Sequence, residues 1–546
     1  MHLSEVVDTS AAVAATRSRL AKVKALAAVL RAAVAPADAA GAESVAGAGG
    51  AAGTGDAAGA EGTLDAENAA GTADTVVAVV SFLIGTPRQG RIGTGWRTVL
   101  DLSVPPAAEP SLTVAEVDLT LGAVATTSGK GSAQRRVDLL VGLFGLATAA
   151  EQDFLRRLLT GELRQGALEG VMLDAIASAA DVPGEAVRRA FMLSGRLPET
   201  AVAALRGGAG ELEAFRLEVG RPLRPMLASP AESLDAALTE LGGCVVEHKL
   251  DGARIQVHRS GDEVHVYTRT LREITKTVPE LVELVRGLPC TSVVLDGETL
   301  ALTDEGRPRP FQETMSRFGA QDERELLLHP YFFDCLHLDG EDLLDEPLRD
   351  RLAALRSVAG EHVIPGVLDP SPEEAGAVVA ASLGAGHEGV MVKSLSSVYA
   401  AGRRGRSWQK VKPVHTLDLV VLGVEWGSGR RRGWLSNLHL GARDPDGGPP
   451  IMVGKTFKGL TDELLTWQTK ALQEIAVSED EWVVMVRPEL VIEIELDGVQ
   501  VSPRYPGGVA LRFARVVRYR PDKDPSEATT IEEVRALLPT ALSTGL

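Results

Sequence analysis

The apolar residues of this chain follow two different rhythms, and the place where one replaces the other limits what it can fold into. Up to about residue 210 they recur at three- and four-residue spacing: Leu139, Leu143 and Leu146, then Leu155, Leu158 and Leu159, then Val171, Leu173 and Ile176. That is the rhythm of successive helices with one buried face. Leu20–Val34 carries it too, with basic residues on one side. Near Arg221–Pro230 the pattern changes. Val245–Leu250, Ile255–His258, Val264–Thr268, Val293–Leu302 and Tyr331–Leu338 are short runs rich in β-branched or aromatic residues, the signature of strands. Leu348–Ala359 and Pro372–Leu383 return to helical spacing between later strands.

From Leu417 onward strands dominate: Leu419–Val424, Trp434–Leu440, Ile451–Thr456, Trp482–Val486, Leu490–Leu496 and Leu511–Tyr519. About five strands over roughly a hundred residues fit a small Greek-key barrel of the OB type. A chain of 546 residues is long enough for several cores. The expectation is therefore multidomain: an all-α unit over 1–210, an α+β unit over 211–415 and a β-barrel unit over 416–546.

One tract interrupts the first unit. In Pro36–Thr75, 24 of 40 residues are Ala or Gly, and nine glycines speak against a helix. It is read as a flexible, disordered insertion with little to bury. Its seven acids and absence of Lys or Arg supply −7 of the net charge of −18. The acidic total therefore does not exclude a nucleic-acid partner, because charge is unevenly placed. Arg403, Arg404, Arg406, Lys410 and Lys412 crowd ten residues without one acid. No run of 18 apolar residues exists, so no membrane partner is expected. Arg17, Arg19, Lys22 and Lys24 break up any secretory apolar core. Cys244, Cys290 and Cys335 form no CxxC pair, which argues against a zinc knuckle or a disulfide framework and for a reducing cytoplasm.

The most informative segment is Val245-Val246-Glu247-His248-Lys249-Leu250-Asp251-Gly252-Ala253-Arg254. It sets a lysine at a strand end, then an Asp-Gly turn, then an arginine. By itself it also fits an ordinary hairpin. A lysine amine, with its usual pKa near ~10.4, is a poor nucleophile until burial or neighbouring cations lower that value.

Lys-x-Asp-Gly-x-Arg resembles the active-site signature of the covalent nucleotidyltransferases: DNA ligases, RNA ligases and mRNA capping enzymes. The further motifs come in order along the chain. Tyr267-Thr268-Arg269 resembles the second, and Asp296-Gly297-Glu298 the third. Tyr331-Phe332-Phe333-Asp334 resembles the adenine-stacking segment, although Phe333 also suits a plain buried strand. Glu388-Gly389-Val390-Met391-Val392-Lys393 matches Glu-Gly-x-x-x-Lys, and Trp408-Gln409-Lys410-Val411-Lys412 matches x-Lys-x-Lys, with Arg404 four residues before the tryptophan. Arg520-Pro521-Asp522-Lys523 resembles the closing Arg-x-Asp-Lys. The chain has only 12 lysines against 44 arginines, yet Lys249, Lys393, Lys410, Lys412 and Lys523 all fall at motif positions. Where arginine is so freely used, retained lysines point to a need for an amine.

The flanks narrow the resemblance to ATP-dependent DNA ligases of the three-domain archaeal and eukaryotic type. Phe144, Ala147-Thr148, Glu151 and Leu163-Arg164-Gln165-Gly166 resemble their DNA-binding domain. Gln89-Gly90-Arg91-Ile92-Gly93 and Gly129-Lys130-Gly131-Ser132 resemble its glycine-containing loops, and Leu223–Ala228 the entry to the catalytic unit. NAD-dependent ligases carry a four-cysteine zinc module that is not visible here, and capping enzymes lack the long helical domain. The Lys-poor composition suits a GC-rich bacterial genome, where such a protein would be a second, repair-type ligase.

The resemblance implies that Lys249 takes AMP from ATP as a phosphoramidate, with nicked double-stranded DNA as the partner and Mg²⁺ as the ion. Glu247 would read the adenine edge and Phe333 would stack on the base. Arg254, Arg269 and Arg404 would hold ribose or phosphate oxygens. Lys410 and Lys412 would neutralise the α-phosphate and, by cationic crowding, keep Lys249 deprotonated. Glu298 and Glu388 are the carboxylates expected near the metal. A monomer acting at the nucleoid is expected; a sliding-clamp partner is compatible, but no motif in the chain carries one.

Overall fold

The computed structural model describes residues 1–35, 58–90, 92–163, 169–303, 306–309, 314, 327–400, 404–480 and 482–538. Within them, side chains 58–70 and that of Arg404 fall outside the description.

The three- and four-residue spacing produces helices from Leu3–Ala15 to Leu197–Glu213. Sequence-local chemistry sets where they begin. Thr113 with Glu116, and Thr148 with Glu151, form reciprocal caps that open Val114–Thr126 and Ala149–Thr160. Leu3, Leu30, Phe82, Leu121, Phe144, Phe154 and Ile176 are buried in one shared core.

The tract read as an insertion over 36–75 is corrected on its second half. Residues 36–57 lie outside the described residues, but Ala58–Leu83 is one helix. Six of the nine glycines precede Ala58, and the remainder of the tract is dominated by Ala and other helix-tolerant residues. The helix is anchored at its far end by Val76, Val79, Val80, Phe82 and Leu83, all fully buried. Replacing 37–57 by a short Gly/Ser linker is therefore expected to leave the melting temperature within about 2 °C of the parent, since closure entropy grows slowly with loop length. Extending the deletion to Asp74 should lower it clearly. A large loss on the shorter deletion would show that residues 37–57 contribute contacts.

Beyond the helices, residues 220–226 run as a strap across one strand face. The strands around it are β1 (Leu227–Pro230), β2 (Cys244–Lys249), β3 (Ala253–Ser260) and β4 (Glu263–Thr268). Arg254, Gln256 and His258 stand at two-residue spacing on β3 and so share a face. Each holds the strap: Arg254 Nη1 donates to the Met226 carbonyl at 2.7 Å, Leu223 N–H donates to Gln256 Oε1 at 2.7 Å, and Gly220 N–H donates to His258 Nδ1 at 3.0 Å. Burial lowers the His258 pKa to about 3, which keeps its ring neutral and able to accept that bond.

The middle unit is two five-stranded sheets. Its later strands are β5 (Ser292–Ala301), β6 (Leu328–Leu338), β7 (Glu341–Asp342), β8 (Gly366–Leu368), β9 (Gly389–Ser394) and β10 (Arg404–Val411). One sheet runs β1-β10-β9-β2-β8 and the other β4-β3-β5-β6-β7. The chain steps from the first to the second in the turn between β2 and β3, directly after Lys249. Gly252 makes that step possible. A Cβ there would stand 2.5 Å from the Thr299 carbonyl and 2.7 Å from Leu300 Cδ2.

The last unit is richer in strands than expected. A seven-stranded sheet contains β11 (His415–Trp426), β12 (Leu435–Ala442), β13 (Ile451–Thr456), β14 (Ala476–Glu479), β15 (Val483–Val486), β16 (Val491–Leu496) and β19 (Arg515–Tyr519). A separate hairpin pairs β17 (Gly498–Val501) with β18 (Val509–Arg512). The single strand expected over Leu511–Tyr519 is thus two, broken at Phe513, whose φ of 56° takes it out of extended backbone. No described helix is long and apolar enough to cross a membrane.

Candidate active site

Alternation along β2 turns Glu247 and Lys249 to the same side, and the paired strands bring the other motifs to meet them. Glu247, Lys249, Arg254, Arg269, Glu298, Phe333 and Lys410 line one cavity of about 540 Å³ between the two sheets, together with Lys393 and Trp408. These residues come from β2, β3, β5, β6, β9 and β10, with Arg269 just beyond β4. Arg404 lies at the start of β10, but its side chain is outside the described residues.

Glu388 and Lys412 are not among the cavity-lining residues, but both are tied to Lys249, which is. Lys249 Nζ forms an ion pair with Glu388 Oε2, and Lys412 Nζ lies 2.7 Å from the same oxygen. The Glu388 backbone N–H also donates to the Lys249 carbonyl at 2.9 Å. Gly389 allows this approach: its φ is +135°, and a Cβ there would be 2.3 Å from the Val411 carbonyl. Burial opposes the Glu388 charge, but Lys249 and Lys412 outweigh it and hold the carboxyl at about 2. This corrects the picture of Lys412 crowding Lys249 as a bare cation, because an ionised carboxylate stands between the two.

At the opposite end the cavity is aromatic and buried. Phe333 and Trp408 meet edge to face at 6.0 Å. Lys393 Nζ sits 4.3 Å from the Phe333 ring centre and 4.4 Å from that of Trp408, and 2.5 Å from Glu247 Oε2. Burial raises the Glu247 pKa despite that lysine. Among the described residues, the buried Trp408 Nε1 has no hydrogen-bond acceptor, and Glu247 Oε2 lies off the hydrogen-bonding direction of its lysine. A buried aromatic wall flanked by an unused donor and an under-satisfied acceptor suits a heteroaromatic base.

Sequence comparison agrees with this geometry. Three family models match in order: "DNA ligase N terminus" over 88–177, "ATP dependent DNA ligase domain" over 225–412 and "ATP dependent DNA ligase C terminal region" over 431–523. A "Probable DNA ligase" of Saccharopolyspora erythraea is 66% identical over 537 residues, covering 98% of this chain and 97% of that protein. The chain belongs to the ATP-dependent DNA ligase family. A second "Probable DNA ligase", from Rhodococcus jostii (strain RHA1), is 71% identical over 465 residues, covering 85% of this chain and 92% of its own. The solved structure Pmar-Lig_PreS3 shares the fold, with a TM-score of 0.55 at 16% identity over 94% of this chain and 99% of its own. These relatives come from actinobacteria, GC-rich bacteria, in keeping with the Lys-poor composition of this chain.

Among the described residues, no three His, Cys, Asp or Glu side chains gather as a protein-only metal cage. Glu298 nevertheless has the character of a ligand awaiting a cation. The Gly252 N–H donates to its Oε1 at 3.0 Å, yet burial lifts its pKa to about 7 in spite of Lys249. A hard divalent ion that keeps several waters and phosphate oxygens would supply the missing charge. Glu388 is already neutralised by Lys249 and Lys412, with Arg512 Nη2 at 3.7 Å.

The raised Glu298 value predicts a pH effect. Between the ordinary carboxyl range and about 7, the folded chain holds a proton here that the unfolded chain has lost, so folding is opposed as pH rises. Without metal or nucleotide, Glu298→Gln should melt with the parent near pH 4. It should gain about 2 kcal/mol over it by pH 8, after allowing for the carboxyl's partial exposure. An equal difference at both pH values would remove the titration as its cause.

Several site residues carried no assigned role in the sequence. Asp251 Oδ2 is 2.7 Å from Arg512 Nη1, and Asp497 Oδ2 is 3.1 Å from Lys412 Nζ, so the β17–β18 edge of the last unit sits on the lysine motif. Asp296 and Tyr399 hold Arg254. Asp251 stands inside the lysine motif and Asp296 inside the third, which is a usable signal. Arg512 and Asp497 are paired only by the way the last unit packs against the cavity.

Proposed function

We propose that this ligase seals nicks in double-stranded DNA with Lys249 as the covalent carrier of AMP. The observation that carries the reading is the Lys249 amine opening into a cavity with a buried aromatic base slot at one end and Glu298 at the other. Once the Lys249 ammonium has released a proton to solvent, its Nζ attacks the α-phosphorus of ATP, the bond to the β-phosphate's bridging oxygen breaks, and pyrophosphate leaves. The nick's 5′-phosphate then takes the AMP, and the 3′-hydroxyl displaces it as the phosphodiester forms. Each step is a displacement at phosphorus, in which positioning and charge neutralisation supply the catalysis.

In this reading Phe333 stacks on adenine and Glu247 reads its edge. Arg254, Arg269 and Arg404 bind ribose or phosphate oxygens as charge-assisted donors. Lys410, from β10, meets the α-phosphate, and Lys412 fixes Glu388 beside Lys249. Glu298 would hold Mg²⁺, with Glu388 as a second carboxylate near it, and the ion would supply Lewis-acid charge there. The three units divide near 210 and 415: a helical DNA-binding domain, an adenylation domain and an OB-type barrel. The helical and barrel units grip DNA mainly through phosphates, as sealing any sequence requires. The ligase acts as a monomer at the cytoplasmic nucleoid.

Incubation with α-labelled ATP and Mg²⁺ should label the chain in an acid-labile, alkali-stable bond, and nicked DNA should discharge it. Labelling by γ-labelled ATP instead, or a label that nicked DNA leaves in place, would overturn the reading.

A further inference from the structure

Four groups close a hydrogen-bonded circuit behind the nucleotide cavity, and Tyr399 belongs to none of the motifs read in the sequence. Arg254 Nη1 donates to the Met226 carbonyl at 2.7 Å, and the Met226 N–H donates to Tyr399 Oη at 3.1 Å. The Tyr399 hydroxyl donates to Asp296 Oδ2 at 2.6 Å. Asp296 completes the ring by accepting from Arg254, Nε to Oδ1 at 3.0 Å and Nη2 to Oδ2 at 2.6 Å.

The circuit is dry on one side and open on the other. Tyr399 is 2% exposed and Asp296 1%, whereas Arg254 keeps 14% of its side chain exposed where it lines the cavity. Packing fixes the tyrosine ring: Trp408 meets it edge-on at 6.0 Å, and the Arg351 guanidinium lies 5.9 Å from its centre. Burial, and then Asp296, push the phenol well above its usual pKa, so the hydroxyl stays a donor. A carboxylate alone would leave the Arg254 fork free to rotate about the axis that joins them. The Met226 carbonyl and the tyrosine together fix the remaining rotation, because each binds a different edge of the same assembly.

We propose that Tyr399 is a positioning residue for nucleotide transfer, holding Arg254 through Asp296 and the Met226 peptide at the angle from which the guanidinium meets the nucleotide. The proposal rests on the reading of Arg254 as a nucleotide contact. Tyr399 itself is screened from the cavity by Trp408 and Arg254, so its effect on ATP must pass through them.

The test uses full-length enzyme and single-turnover self-adenylylation over a range of ATP concentrations. Tyr399→Phe keeps the ring and removes the hydroxyl. It should raise the ATP concentration for half-maximal rate ~tenfold, the scale of one hydrogen bond to a charged group, while the limiting rate falls by less than about threefold. Arg254→Lys keeps a charge opposite Asp296 but loses the planar fork, and should itself weaken ATP use. In that background Tyr399→Phe should cost less than ~twofold, since there is no fork left to orient. Equal penalties in both backgrounds, or no change in ATP requirement for Tyr399→Phe, would overturn the positioning role and leave the Arg254 reading intact. Parental ATP use by Arg254→Lys would overturn both. Asp296→Asn interrupts the same circuit elsewhere and gives the same comparison if Tyr399→Phe melts below the assay temperature.

Discussion

Lys249→Ala is expected to abolish the covalent AMP adduct, leaving no acid-labile label on the protein after incubation with α-labelled ATP and Mg²⁺. The expectation comes from position as well as type. Lys249 ends β2 where the chain crosses between the two sheets, and its amine is held between Glu388 and the cavity. Two other lysines nearby are committed elsewhere: Lys393 to Glu247 and Lys412 to Glu388 and Asp497. Lys412 still neutralises Glu388 when the Lys249 amine is removed, so the variant should retain its fold and still bind nicked DNA. Sealing of a nick supplied already adenylylated should survive in part, because that step needs no new adduct. Label retained on Lys249→Ala would show that another residue carries the AMP.

Lys523→Ala should fail with ATP and an ordinary nick by at least about a hundredfold, the scale of losing one preorganised cation on a leaving group, yet still seal an adenylylated nick. In this structure Lys523 Nζ lies 2.5 Å from Asp418 Oδ2, and Arg520 binds both Asp418 at 3.2 Å and Asp522 at 2.7 Å. All four residues belong to the last unit. The face of that unit now turned to the cavity is a different one, carrying Asp497 and Arg512. Both faces cannot occupy the site at once, so Asp522 and Lys523 reach ATP only if the unit turns. Pyrophosphate is present in the first step and gone in the last, which makes their contribution step-specific. Lys410→Ala, whose residue lines the cavity throughout, should be impaired on both substrates. Equal loss of both reactions in Lys523→Ala, with fold and DNA affinity intact, would rule the step-specific role out.

Legible and illegible features of the sequence divide along physical lines. The strand that ends at Lys249 was legible because a short β-branched run and an Asp-Gly turn are local properties. The same locality misled over residues 58–75, where Ala and Gly content pointed to a loop. The helix there is continuous with buried Val76–Leu83, which lies beyond the tract. Phe513 looked like any strand aromatic, and nothing local announces a positive φ. The pairs that shape the site were the least readable: Arg512 with Asp251 lies 261 residues apart, and Tyr399 with Asp296 103 apart. Motif order could bring together the residues proposed to meet the nucleotide, but not those that hold them.

The strap over β3 bears on where the catalytic part of this molecule begins. A boundary drawn from strands alone would fall at Leu227, yet Gly220, Leu223 and Met226 satisfy buried Gln256 and His258 and bind the cavity's Arg254. A fragment starting at Leu227 would carry raw polar groups on an otherwise apolar flank and a loosened guanidinium, and would be a poor guide to the intact enzyme. The strap also faces the helices: the Arg224 N–H donates to the Met192 carbonyl at 3.1 Å, and its Nη2 lies 2.9 Å from Glu169 Oε1. One short stretch of chain therefore serves both as a latch for the helices and as a wall for the cavity.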